Sequence, residues 1–306
     1  DPWVPPFTSG LIPKQTGISR LGIRLAWEKI VIARKIRNLF FSMLLCRQDY
    51  FSLYKRLFLE CGFPFEEKID WRRPFIIGIK ESKILSMNPS SLDFPRKYPP
   101  NCQYAPSRVD LNREDPMLNR RYARVMEEVC LQKQQRPDTK IIYCFSSTVM
   151  GFEKRSKIIF MKIRDICLRN PQFVFILSVG KYHNTSYLLP CPSNLYVFQQ
   201  VPQLHLLSYC DLMITSGGMN SIAECIEKEV PMLVCPLSLK SDQLGNSARV
   251  VYHGLGLRAR IKLDSSRTIE KRIVQLFENY ATFKRNLSMM RTKILAESTA
   301  INTEVI

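Results

Sequence analysis

From Lys140 to His253 the sequence alternates at short intervals between continuous apolar runs and stretches of helical periodicity. The spacing predicts strands at 140–145, 173–177, 194–198, 211–215 and 232–235. Helices are predicted between and after them at 153–169, 202–208, 219–228 and 242–253. Apolar runs without polar alternation suit strands that are covered on both faces, and helices between them suit crossover connections. The expected fold class is therefore α/β, with a parallel, doubly wound sheet. Such a sheet takes its ligands at the carboxyl ends of its strands, so the loops that leave those ends are where chemistry is sought. Two further helices, at 268–279 and 281–296, follow; Ser265 or Ser266 is placed to cap the first.

The first half of the chain is less regular. Residues 1–17 are rich in proline, glycine and threonine and read as a loop; Asp1-Pro2-Trp3 is not an initiator sequence and reads as mid-protein. Residues 18–59 are mainly helical in pattern, with a break near Cys46 to Asp49. This basic amphipathic region has two readings, helices packed on a sheet or a surface that lies on a membrane. Strands are expected at 75–79 and 83–87. A proline-rich connector follows over 95–116, then a helix over 117–135. Two domains result, 1–136 and 137–306.

The net charge of +18 admits nucleic acid, an anionic membrane or a phosphate-bearing small molecule as partner. The bases are spread along the chain and no nucleic-acid motif is visible, which disfavours the first. None of the ten cysteines forms a C-x-x-C pair, and several lie in apolar runs. They read as reduced core residues of a cytoplasmic protein without disulfides, and the scattered cysteines and histidines offer no metal site. The longest apolar run, 39–46, is too short to span a bilayer.

The stretch from Asp211 to Glu224 carries the most chemistry. An apolar strand runs into Ser216-Gly217-Gly218 and directly into a helix. Two glycines let a ligand approach the backbone, and the free amides of Met219, Asn220 and Ser221 then favour an anion. Ser221 adds a hydroxyl, and Glu224, one turn on, can accept from a diol. Alone, the stretch is equally a helix cap with a glycine turn. Three more polar loops share the same edge: Ser146-Ser147-Thr148, Val201-Pro202-Gln203 and the loop from Pro236 to Asn246 with Asp242 and Gln243.

Val201-Pro202-Gln203, Thr215-Ser216-Gly217-Gly218-Met219-Asn220-Ser221-x-x-Glu224, Val230-Pro231-Met232 and Asp242-Gln243-x-x-Asn246 together resemble the donor-binding signature of UDP-dependent glycosyltransferases of family 1, the macrolide, carotenoid, sterol and plant-metabolite type. The resemblance is specific over about 200–256 and looser upstream, where Pro5-Pro6-Phe7-Thr8-Ser9-Gly10 and Leu92-Asp93-Phe94-Pro95-Arg96 are similar to stretches of the family's N-terminal domain. It implies a GT-B fold of two Rossmann-like domains, the N-terminal one incomplete here. By the same resemblance Val201 and Gln203 meet uracil and ribose, Ser216 to Ser221 hold the pyrophosphate with Thr148, Glu224 binds the ribose hydroxyls, and Asp242 and Gln243 hold the sugar.

The implied activity is hexose transfer from a UDP-sugar to a hydroxyl of a small lipophilic acceptor, inverting, with no metal and no cofactor beyond the donor. Peripheral membrane contact is a further expected partner. The sequence departs from the pattern at Ser216, where the family has histidine, at Gln200, where it commonly has tryptophan, and at Ser147, where it has glycine. His183, His205 and His253 do not match the family's catalytic histidine, so no catalytic base is assigned. The alternative is a nucleotide-sugar-binding fragment without catalysis.

Overall fold

The structure, a computed structural model, describes residues 4–6, 8–13, 20–71, 78–95, 102–104, 109–113, 120–145, 153–180, 184–238 and 241–304. The chain forms two compact units. One comprises Asp1–Pro6, Pro13–Met87 and Pro95–Ala105; the other comprises Phe7–Ile12, Asn88–Phe94 and Pro106–Ile306.

The first unit holds helices α1 (Arg20–Leu44), α2 (Tyr50–Glu60) and α3 (Phe65–Lys68) and a parallel pair of strands, β1 (Ile84–Ser86) and β2 (Cys102–Tyr104). The break expected at 46–49 is built from Cys46 and Arg47 in left-handed conformation, followed by Asp49, whose carboxylate accepts from the amides of Phe51 and Ser52 and so caps α2. Burial of Asp49 works against its charge, but these bonds and the Ser52 hydroxyl outweigh it, and its pKa is lowered. Strand β2 lies inside the proline-rich stretch read as a connector; three residues paired on β1 leave no periodic signal to find. The strand expected at 75–79 falls largely on residues outside those described, and Ile79 makes a single bridge to Ile69.

Helix α1 is two-faced. Ile23 is buried, the Trp27 indole donates to the Val4 carbonyl, and Arg34 donates to the Trp71 carbonyl. On the opposite side Leu21, Leu25, Ile32, Ile36, Leu39 and Met43 recur at helical spacing, and each is between 54% and 66% exposed. Exposed Arg24, Lys29 and Lys35 flank this stripe. Among the described residues, no helix is long and apolar enough to cross a membrane.

The second unit contains α4 (Arg120–Gln135), β3 (Lys140–Phe145), α5 (Glu153–Arg169), β4 (Phe173–Ser178), β5 (Leu195–Phe198), α6 (Gln203–Leu207), β6 (Leu212–Thr215), α7 (Met219–Glu227), β7 (Met232–Val234), α8 (Gln243–Tyr252), β8 (Gly256–Arg258), α9 (Ser266–Glu278) and α10 (Tyr280–Glu304). All six strands are parallel, in the order β5-β4-β3-β6-β7-β8. Numbered within the sheet this is 3-2-1-4-5-6, the doubly wound arrangement, with its topological switch between β3 and β6.

Alternate residues of each strand feed two cores, because successive side chains point to opposite faces. Ile141, Tyr143, Met213 and Met232 join α4, α7 and α10 on one face. Ile142, Cys144, Ile214 and Leu233 join α5 and α9 on the other. The α9 cap is the expected one: the Ser265 hydroxyl accepts from the Thr268 amide at 3.1 Å. Strand β8 was not expected, since three residues led by glycine carry no strand signal.

Two short lengths from early in the sequence complete this unit. Leu92 enters the core, Asp93 accepts from Arg249 at 2.6 Å, and the amides of Ser90 and Ser91 donate to Glu297 on α10 at 2.9 and 2.7 Å. The Gly10 carbonyl accepts from Arg258 at 2.7 Å.

Candidate functional site

The topological switch lies between β3 and β6, the place where sheets of this kind bind ligands at the carboxyl ends of their strands, and β6 turns there into α7. Thr215 ends the strand, and its hydroxyl accepts from the Gly217 amide at 3.2 Å. Gly217 lies at φ +90°, and a Cβ there would stand 2.8 Å from Val234 Cγ1 and 3.3 Å from the Gln243 carbonyl oxygen. Only glycine fits on both counts. Gly218 occupies the N-cap position of α7 with extended backbone and contributes no side-chain cap. The amides of Met219, Asn220 and Ser221 lie in the first turn, ahead of the first intrahelical bond, from the Ile222 amide to the Gly218 carbonyl at 3.1 Å. Together with the helix dipole they form a place for an anion. Ser216, where the resembling family has histidine, is 5% exposed.

Glu224 is buried one turn further along. Its Oε1 accepts from Arg113 Nη1 at 2.7 Å and its Oε2 from Gln203 Nε2 at 2.7 Å. Gln203 in turn accepts from the Tyr143 hydroxyl at 3.0 Å and its amide lies 3.4 Å from Ser221 Oγ. Burial pushes the Tyr143 phenol well above its ordinary pKa, so it stays a neutral donor and fixes the Gln203 amide with nitrogen toward the carboxylate. The structure thus brings Gln203, Ser221 and Glu224 together, from α6 and α7. The Val201 side chain is buried in the core beside them.

The loop after β7 leads into α8 through Asp242 and Gln243, which the resemblance assigns to the sugar. Gln243 is buried, and its Oε1 accepts from the amides of Leu237 and Ser238 at 2.9 and 2.8 Å. Asp242 is exposed at the N-cap position of α8 without capping it; its Oδ2 accepts from Asn246 at 2.9 Å. Asn246 also donates to the Gly217 carbonyl at 2.9 Å, tying α8 to the glycine turn. Asn246 stands in the quoted motif, yet its spacing alone gives no hint of this contact. Arg113 was not anticipated at all, because it lies in a stretch that reads as connector. Thr148 lies outside the described residues.

Two of the three histidines are engaged in holding the fold. His205 Nδ1 is 2.9 Å from the Tyr122 hydroxyl. His253 Nε2 is 3.1 and 3.2 Å from the carbonyls of Leu92 and Asp93, and burial lowers its pKa despite these bonds. His183 lies outside the described residues.

Residues 184–296 match the family model described as UDP-glucoronosyl and UDP-glucosyl transferase. The NDP-glycosyltransferase YjiC of Bacillus subtilis (strain 168) is 37% identical over 98 residues, 32% of this chain and 24% of that protein. The zeaxanthin glucosyltransferase of Pantoea ananas is 34% identical over 101 residues, 33% of this chain and 22% of that protein. The chain spans about a quarter of the length of the curated relatives it matches here. In three dimensions the chain is similar to the glycotransferase of kitacinnamycin, with TM-score 0.61 and 19% identity, over 90% of this chain and 70% of that one. The sheet order and the glycine turn at its switch point agree with these matches: the second unit has a sheet of the GT-B glycosyltransferase fold, and residues 184–296 are similar to the UDP-glucoronosyl and UDP-glucosyl transferase family.

Proposed function

We propose that this chain binds a UDP-sugar and belongs to an enzyme that transfers the hexose to a hydroxyl of a small lipophilic acceptor. One observation carries the reading: an uncapped helix start at the sheet's switch point, followed one turn later by the buried carboxylate of Glu224. The diphosphate sits on the amides of Met219 to Ser221, with Ser216, Gly217 and Gly218 beneath it and Thr148 reaching it from the loop after β3. The ribose hydroxyls donate to Glu224, and uracil lies toward Val201 and Gln203. The sugar lies toward Asp242 and Gln243.

In the reaction the acceptor oxygen forms a bond to the anomeric carbon as the bond from that carbon to the phosphate oxygen breaks, on the opposite side, so the configuration inverts. The amides and the helix dipole stabilise the negative charge that develops on the departing diphosphate. The acceptor's proton leaves to a base that we do not assign to this chain.

Calorimetry with UDP tests the pocket. UDP binds the unaltered chain, and Glu224→Ala weakens that binding roughly tenfold or more, the scale of a lost hydrogen-bond pair to a charged group. Absence of UDP binding, or binding that ignores Glu224→Ala, sinks the proposal. The engagement of His205 and His253 in the fold favours a second reading, a nucleotide-sugar-binding module without turnover; sugar transfer by this chain alone excludes it.

The exposed face of α1 supports peripheral contact with an anionic membrane. A stripe of six exposed apolar residues flanked by Arg24, Lys29 and Lys35 has the chemistry of an interfacial helix, with side chains for the acyl boundary and bases for the headgroups. The protein is expected to co-sediment with vesicles containing phosphatidylserine and to be released by high salt. The double substitution Ile32→Glu with Leu39→Glu removes the binding. Equal recovery on vesicles of phosphatidylcholine alone, or indifference to both substitutions, disproves the contact.

A further inference from the structure

The two groups on Glu224 are held unequally. Gln203 is fixed from behind by Tyr143 and extends from a helix of the sheet's own unit. Arg113 lies outside the helices and strands, and its side chain is 41% exposed against 5% for that of Glu224. A buried carboxylate needs a countercharge, and here the exposed arginine supplies it. The first amide of α7 belongs to Met219, five residues before Glu224, which is about 7.5 Å along the helix axis. Side chains on a helix lean toward its N-terminus, so the Glu224 carboxylate, and the guanidinium bonded to it, lie nearer to those amides than this axial rise.

A UDP donor alters the balance at this point. Its ribose hydroxyls are neutral donors that compete with Arg113 for Glu224 Oε1, while its phosphates bring two or more negative charges to the amides close by. A guanidinium pairs as well with phosphate oxygens as with a carboxylate, through the same planar fork of donors. We infer that Arg113 is an exchangeable partner: it neutralises Glu224 while no nucleotide is bound, and it passes to the diphosphate when the ribose hydroxyls take its place. This rests on the donor-site reading above and adds to it a cation that reads the phosphates, on a chain where Ser216 cannot supply one.

The exchange has a signature that a merely structural ion pair lacks. Uridine offers the ribose hydroxyls without phosphates, so it must displace Arg113 with nothing to receive it, whereas UDP receives it. Calorimetry with UDP and with uridine on the unaltered chain, Arg113→Ala and Arg113→Lys reads the difference. Arg113→Ala is expected to weaken UDP binding about tenfold, the scale of one charge-assisted hydrogen bond, and to leave uridine binding unchanged or tighter. Arg113→Lys keeps part of the preference for UDP, since the charge remains. Equal weakening of UDP and uridine by Arg113→Ala would overturn the exchange while leaving the donor site standing. Failure of the unaltered chain to bind either ligand overturns the donor-site reading and this inference with it.

Discussion

Alanine at Gly217 is expected to abolish detectable UDP binding and to lower the thermal midpoint of the protein by roughly 5–10 °C. Two costs act at once. At φ +90° an L-residue is strained by about 1–3 kcal/mol. The new methyl would also stand 2.8 Å from Val234 Cγ1 and 3.3 Å from the Gln243 carbonyl oxygen, on the two elements that flank the turn. Relief requires the turn to move, and the turn sets where the first amides of α7 point. Asn246, which holds the Gly217 carbonyl, would lose its contact in the same movement. Differential scanning calorimetry and a UDP titration measure the two effects. An unchanged midpoint with intact UDP affinity would mean that the turn is not the close-packed cradle described above.

The largest effect on stability alone is expected at Gly256→Ala. Gly256 opens β8 and faces Met232 across the ladder, and a Cβ built there lies 2.0 Å from the Met232 carbonyl oxygen and 2.8 Å from its carbon. The obstacle is backbone of a strand buried on both faces, so no side chain can rotate away. Strands β7 and β8 must part, with loss of their pairing and of the adjoining bond between the Met232 amide and the Leu255 carbonyl. The cost is on the order of 4 kcal/mol, near the top of the range for one substitution. In a unit of this size it lowers the midpoint by roughly 10 °C. A midpoint within a degree or two of the original would show that β8 is loosely held.

The sheet was legible because each of its central strands is buried on both faces. Residues 140–145, 173–178 and 212–215 are apolar almost without interruption, and the sequence places them within a residue or so of where they lie. The glycine turn was legible as well, since a strand running through Ser216-Gly217-Gly218 into a helix has few other uses. What escaped is what depends on distant residues. Arg113 reaches Glu224 across 111 positions, and nothing in Asn112-Arg113-Glu114 marks that destination. The part that Gln243 plays inside its own loop escapes too: its oxygen accepts from two backbone amides whose position the loop after β7 decides. Strands β2 and β8, three residues each, owe their existence to neighbours already in place and not to their own propensity.

The second unit draws Leu92 and its neighbours from a stretch whose flanks, 13–87 and 95–105, belong to the first. The polypeptide therefore passes between the units repeatedly, and covalent continuity is not what keeps residues 88–94 in place. A protease that cut once between Phe94 and Pro106 would sever the chain without shedding those residues: Leu92 stays in the core, and Asp93, Ser90 and Ser91 stay bonded to Arg249 and Glu297. Nicked protein would run as two bands under denaturing conditions and migrate as one particle under native ones.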